Sequence, residues 1–198
     1  MATLRFFTDF ADQAVMLPLA VVVTVAMLAA GWRRGALAWA TVIGGTLAVM
    51  LVLKLLAGTC GTVLLGSPLR SPSGHTASAA AIYGGGLALL LRRAWPRAPV
   101  ALLCAGTLAV LIGITRVVLG AHSVIEVVVG GGVGVAAAML LVRAAGPVPA
   151  PTRARSLPAL GAVVATLLVF HGLHMPAEAA IRKVRLTWLP FGLCHVGT

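Results

Sequence analysis

The stretch SPSGHTASAAAIYGGGLALLL, Ser71–Leu91, opens on small polar residues around a proline and runs into a long apolar block. Serine is a favoured N-cap and proline a favoured first helical residue, so the opening reads as a helix start with Ser71 as cap and Pro72 next. The block behind it, Ser73 to Leu91, comes close to the roughly 20 residues a helix needs to cross a bilayer core of about 30 Å. A polar, His-bearing helix start that gives onto such a block belongs at a membrane surface.

Five more blocks of this kind lie on either side: Ala14 to Ala30, Ala36 to Ala57, Ala98 to Thr115, Ser123 to Val142 and Leu157 to Met175. The first is short and carries Pro18 near its start. The chain is 60% hydrophobic and 10% charged, with a mean hydropathy of +1.06. Soluble domains carry about 25% charged residues, which excludes that class. The expectation is an all-α, polytopic membrane helix bundle of about six transmembrane helices. Residues 1–198 form one integral membrane domain, with a motif-bearing core over 36–143, a C-terminal span over 157–175 and an interfacial tail over 176–198.

The formal charge of +11 comes from 15 Lys+Arg against 4 Asp+Glu. In a soluble chain that balance would suggest nucleic acid. Here the cations stand in short groups between apolar blocks, as charges flanking spans do, so no nucleic-acid partner is expected. Connections after the first, third and fifth blocks carry Arg33 and Arg34, then Arg92, Arg93 and Arg97, then Arg143, Arg153 and Arg155. The opposite side carries Arg5, Lys54, Arg70, Arg116, Arg182, Lys183 and Arg185. With Lys54, Arg70 and Arg116 set aside for chemistry, the first side is the more basic, and the positive-inside rule places both termini outside the cytoplasm. The location expected is a bacterial cytoplasmic (inner) membrane with the site on its periplasmic, extracytoplasmic face. Arg143 to Ser156, with Pro147, Pro149 and Pro151, is expected as a cytoplasmic linker without regular structure.

Met1 to Asp12 holds Asp9 and Asp12 where a cleavable signal would be basic, and reads instead as an interfacial amphipathic turn or two. Glu178 to Arg185 reads as an amphipathic segment on anionic headgroups. Cys60, Cys104 and Cys194 lack metal-ligand spacing; Cys60 and Cys194 could pair only if both face an oxidising compartment. Gly84, Gly85 and Gly86, with Gly130 and Gly134 four apart, suit close helix contact. His171 and His174, one turn apart, read as interfacial residues.

The informative polar residues gather on one membrane face. Lys54 ends the second block, Ser71–His75 opens the third, Thr115 and Arg116 end the fourth, and His122 and Glu126 open the fifth. Charged groups at that depth are costly unless they pair or line a wet cavity. Exposed amides of Ser73, Gly74 and His75 at a helix start favour an anion such as phosphate, and Gly74 permits close backbone approach. An ordinary capped helix gives the same local pattern. His122 and Glu126, four apart, share a helix face. The carboxylate can fix the tautomer and leave the other ring nitrogen as nucleophile or base. Lys54 is one of only two lysines, which suggests a need for a compact charge, although a snorkelling lysine would look alike. Arg116 offers a fork suited to phosphate oxygens.

Together these segments resemble the type 2 phosphatidic acid phosphatase superfamily of membrane lipid phosphatases, which shares its site with vanadium haloperoxidases. That pattern is a lysine followed after six residues by Arg-Pro, then Pro-Ser-Gly-His, then Ser-Arg, five residues, His, three residues and Asp. Pro72-Ser73-Gly74-His75 matches in full. Thr115-Arg116, His122 and Glu126 match with Thr for Ser and Glu for Asp. Lys54 is followed at the Arg-Pro position by Gly61 and Thr62. The resemblance implies that His122 attacks phosphorus to give a phosphohistidine and that His75 protonates the leaving oxygen. It implies that Lys54, Arg116, Ser73 and Gly74 hold the phosphoryl oxygens, with Arg70 as the available substitute for the missing arginine. It implies no metal and no cofactor. The function expected is hydrolysis of a lipid phosphate or diphosphate reached from the bilayer. A lipid phosphotransferase using the same site, and a non-catalytic lipid-binding or transport protein, stand as alternatives.

Overall fold

The computed structural model describes residues 1–65, 71–91, 97–148 and 153–188, and every regular element among them is helical. In chain order these are α1 (Ala2–Asp9), α2 (Gln13–Ala29), α3 (Arg33–Leu65), α4 (Gly74–Ser78), a π-helical stretch (Ala79–Gly84), α5 (Gly85–Leu91), α6 (Arg97–Val118), α7 (Val124–Ala144), α8 (Arg153–Phe170) and α9 (Ala177–Trp188). Four are long and apolar enough to cross a membrane: Ala2–Ala29, Arg33–Gly58, Ala98–Val118 and Val124–Ala144. The helical run 74–91 and the shorter apolar helix Leu157–Phe170 complete the six-helix bundle. The chain is a multi-pass membrane protein.

Large apolar side chains point outward along the bundle, among them Leu90 and Leu168, each 74% exposed. In lipid that surface costs nothing, so helices must associate through close packing and hydrogen bonds instead. The central element, α7, packs against α6, α3, α4 and the π-helical stretch. Its glycines permit this. A Cβ at Gly130 would collide with the Ser73 carbonyl oxygen, and one at Gly134 with that of Ala77.

The end opposite the site is closed by polar anchors. Trp32 Nε1 donates to the Ala145 oxygen at 3.0 Å and Arg34 Nε to that of Ala144 at 3.0 Å, satisfying carbonyls that the end of α7 leaves open.

Three boundaries differ from the sequence expectation. Lys54 does not end its helix: α3 continues to Leu65, and its 33 residues make a rod of about 50 Å. The apolar count stops at Ala57 because Gly58-Thr59-Cys60-Gly61-Thr62 interrupts the hydrophobic run. The linker after α7 is shorter than expected, since Arg153–Ser156 already belong to α8. Finally, α8 ends at Phe170, where Gly172 takes a φ of 79°, a left-handed conformation that stops helices. The span expected over 157–175 therefore closes with a non-helical segment over 171–176.

Candidate functional site

Lys54 is carried by the middle of α3 and points inward, only 7% exposed, which rules out snorkelling. Its Nζ donates to Ser71 Oγ at 2.9 Å and pairs with the Glu178 carboxylate. A Cβ built on Gly74 would lie 3.5 Å from Lys54 Cε and 3.9 Å from Nζ, so the ammonium sits over the start of α4.

That start is two residues later than expected. Ser73, not Ser71, is the N-cap, with φ −71° and ψ 107°, and its Oγ accepts from Thr76 N at 3.4 Å and bonds to Thr76 Oγ1 at 2.9 Å. The cause is α7. The Glu126 side chain accepts from Ser71 N at 2.9 Å, and the Glu126 main-chain oxygen accepts from Ser73 N at 2.9 Å, holding residues 71–73 extended. The expectation that Ser73 offers its amide and hydroxyl outward is therefore corrected: both are engaged within the protein, and the residue is fully buried. The amides of Gly74 and His75 have no partner among the described residues, which makes them the free donors at this helix start.

Arg116 and His122 come from the α6–α7 turn. Gly120, at φ 65°, reverses the chain after α6, and the amides of Ala121 and His122 bond back to the Arg116 oxygen at 3.0 and 3.3 Å. The half-buried Arg116 leaves its Nε buried without a hydrogen-bond partner among the described residues. Ser123 caps α7 in a reciprocal capping box with Glu126.

The extra methylene of Glu126 is used. One oxygen, Oε2, meets His122 Nδ1 at 3.1 Å and accepts from Ser123 N at 3.0 Å, while Oε1 reaches across to Ser71 N. An ionised carboxylate suits these donors, so His122 carries its proton on Nδ1 and presents Nε2 bare. Burial holds the His122 imidazole below its usual range; the Glu126 hydrogen bond opposes this, and the charges of Arg116 and Lys54 reinforce it. The ring is neutral near pH 7.

Sequence reasoning gave Asp12 and Glu178 no place at the site and read Ser71 only as a helix cap. Asp12 caps α2 by accepting from Ala14 N at 2.9 Å, accepts from Met175 N at 3.0 Å, and directs Oδ2 toward His75 Nε2, 3.6 Å away. Every acid of the chain is thus matched at this end: Asp9 with His174, Asp12 with His75, Glu126 with His122 and Glu178 with Lys54. The scarcity of acids was the available signal, because each one in such a chain needs a partner. His171 and His174, expected as interfacial residues, bond to Phe6 O and Asp9 Oδ1, each at 3.1 Å. Arg70, His195, Cys194 and the Cys60 side chain lie outside the described residues, while Cys104 is buried and free. Among the described residues no group of three or more His, Cys, Asp or Glu is placed to hold a metal ion.

The class these features define is a polytopic helix bundle that brings Lys54, Arg116 and the start of α4 together at one end, near a neutral histidine held by a carboxylate. The chain belongs to the PAP2 superfamily, whose family model matches residues 14–148. No curated protein and no solved structure matches it. The matched segment contains Lys54, His75, Arg116, His122 and Glu126 and leaves out Asp12 and Glu178. Membership makes phosphoryl-group chemistry on phosphate esters the general activity of this chain.

Proposed function

We propose that this protein is a metal-independent membrane phosphatase that hydrolyses a lipid phosphate or diphosphate through a phosphohistidine at His122. The observation that carries this is the convergence of unpartnered donors on one neutral imidazole. Among the described residues the Gly74 and His75 amides and Arg116 Nε have no acceptor, and a phosphoryl group would supply one to each. Lys54 adds a compact positive charge beside them.

In the reaction, the Nε2 lone pair of His122 attacks phosphorus in line as the bond to the leaving oxygen breaks, and His75 gives that oxygen its proton. Glu126 stabilises the positive charge that develops on the ring. Water then attacks the phosphohistidine, His75 takes its proton, and inorganic phosphate leaves. Lys54, Arg116 and the two amides neutralise the phosphoryl oxygens, which is most of what such a transfer needs. The buried hydroxyl of Ser73 acts indirectly, by fixing the start of α4; Arg70 is retained as a further phosphate contact from the adjoining loop.

The lipid assignment rests on position. An apolar groove of about 690 Å³ opens between α2 and α8, lined by Leu17, Val21, Phe170, Leu173 and Met175. Met175 also binds Asp12, so the groove ends beside His75. A hydrocarbon chain in the groove would place its headgroup at the site from the side of the bilayer. The site lies at the extracytoplasmic face of a bacterial inner membrane if the arginine-rich end is cytoplasmic.

The test is phosphate release by purified protein from phosphatidic acid, phosphatidylglycerophosphate, polyprenyl diphosphate and lipid A, with a chelator present. Release from one of them, abolished in His122→Ala, is expected. No release from any overturns the reading, and transfer to an added acceptor lipid in place of water would make the protein a phosphotransferase.

A further inference from the structure

The segment over 171–178 runs as a strap from the end of α8 past Asp9 and Asp12 to Lys54, and it lies outside the stretch that matches the family. It is pinned at three points. The His171 ring packs on Phe10 and Phe6, with centroids 4.2 and 4.6 Å away, and its Nε2 meets the Phe6 oxygen at 3.1 Å. His174 Nε2 meets Asp9 Oδ1 at 3.1 Å, and Met175 N donates to Asp12 Oδ1 at 3.0 Å. Three residues on, in the first turn of α9, Glu178 lays one carboxylate oxygen on Lys54 Nζ and the other 3.3 Å from Ser71 Oγ.

We propose that Glu178 is an internal occupant of the phosphoryl subsite: its carboxylate holds the place of a phosphoryl oxygen on Lys54 until substrate displaces it, and so sets the affinity for substrate. This rests on the reading of Lys54 as a phosphoryl-binding residue.

The two partners differ in how free they are to part. Lys54 is 7% exposed and fixed within α3, whereas the Glu178 side chain is 60% exposed and sits on a helix packed mainly on α3. A buried ammonium without a counter-ion is costly, so the empty site needs an anion there. A carboxylate carries one negative charge and a phosphate monoester close to two near pH 7, so the substrate outcompetes Glu178 without needing the strap to unfold. Release at Glu178 alone opens the subsite, because the contacts of His171, His174 and Met175 do not involve Lys54.

The experiment measures inorganic phosphate affinity in detergent micelles by two routes, as a competitive inhibitor of lipid phosphate hydrolysis and by broadening of the ³¹P resonance, which needs no turnover. The variants are Glu178→Gln, Glu178→Asp and Lys54→Met. In Glu178→Gln, phosphate affinity should rise about three- to five-fold, as loss of one partly exposed ionic competitor implies. KM should fall in step without loss of kcat, and Glu178→Asp should stay near wild type. Unchanged or weakened affinity in Glu178→Gln overturns the proposal. Lys54-dependent phosphate binding that tightens in Glu178→Gln, in a protein that releases no phosphate from any lipid, upholds it while removing the phosphatase reading. Absence of phosphate binding in every variant overturns both.

Discussion

Glu126 shows how one side chain can do several jobs at once. Its carboxylate orients His122, completes the cap of α7 and holds the Ser71 amide, so it ties two of the three motif segments together. Glu126→Gln keeps the shape but puts an N–H donor where an acceptor is needed, and it removes the charge that supports a cationic ring. We expect kcat to fall about 100-fold with KM little changed, read as initial rates of phosphate release. His75→Ala should also lower kcat, by about 100-fold or more, with the loss smallest for substrates whose leaving group needs no proton. At this scale the sequence was legible where chemistry is local in the chain. His75, His122, Glu126 and Arg116 stand in short motifs with fixed spacing. Asp12 and Glu178 were not, because they reach the site only through folding: the Lys54–Glu178 contact spans 124 positions.

Among the elements, α7 carries the site because it has no Cβ at the contacts with residues 73 and 77. Gly130→Ala or Gly134→Ala must push α4 away and should destabilise the protein by about 1–3 kcal/mol, lowering the melting temperature in detergent and the activity together. Gly132, two positions from each, has open space around an added Cβ. Gly132→Ala should therefore melt at or slightly above the wild-type temperature, since alanine favours the helix. The apolar blocks had placed every long helix, because hydrophobic length is a direct record of the bilayer. They could not show the π-helical stretch or the true end of α3. Neither feature changes the apolar composition that the blocks record. The cap at Ser73 in place of Ser71 was hidden because α7, distant in sequence, claims the amides of residues 71 and 73.

For the whole molecule, the neutral state of His122 sets a pH dependence. The ring must be unprotonated to attack, and burial lowers its affinity for a proton. Activity should therefore persist as pH falls past the ordinary histidine value of about 6.5 and be lost only on the acid side of it. A pH–rate profile of kcat/KM whose acid limb lies above 6.5 would contradict this. The matching of every acid with a base at one end has a further consequence. Among the described residues, the carboxylates and imidazoles all lie at the site end, while the other end bears arginines, which keep their charge at any physiological pH. The protein should then sense acidity in one compartment and be blind to it in the other. In proteoliposomes of uniform orientation, turnover should follow the pH on the site side and ignore the pH across the membrane.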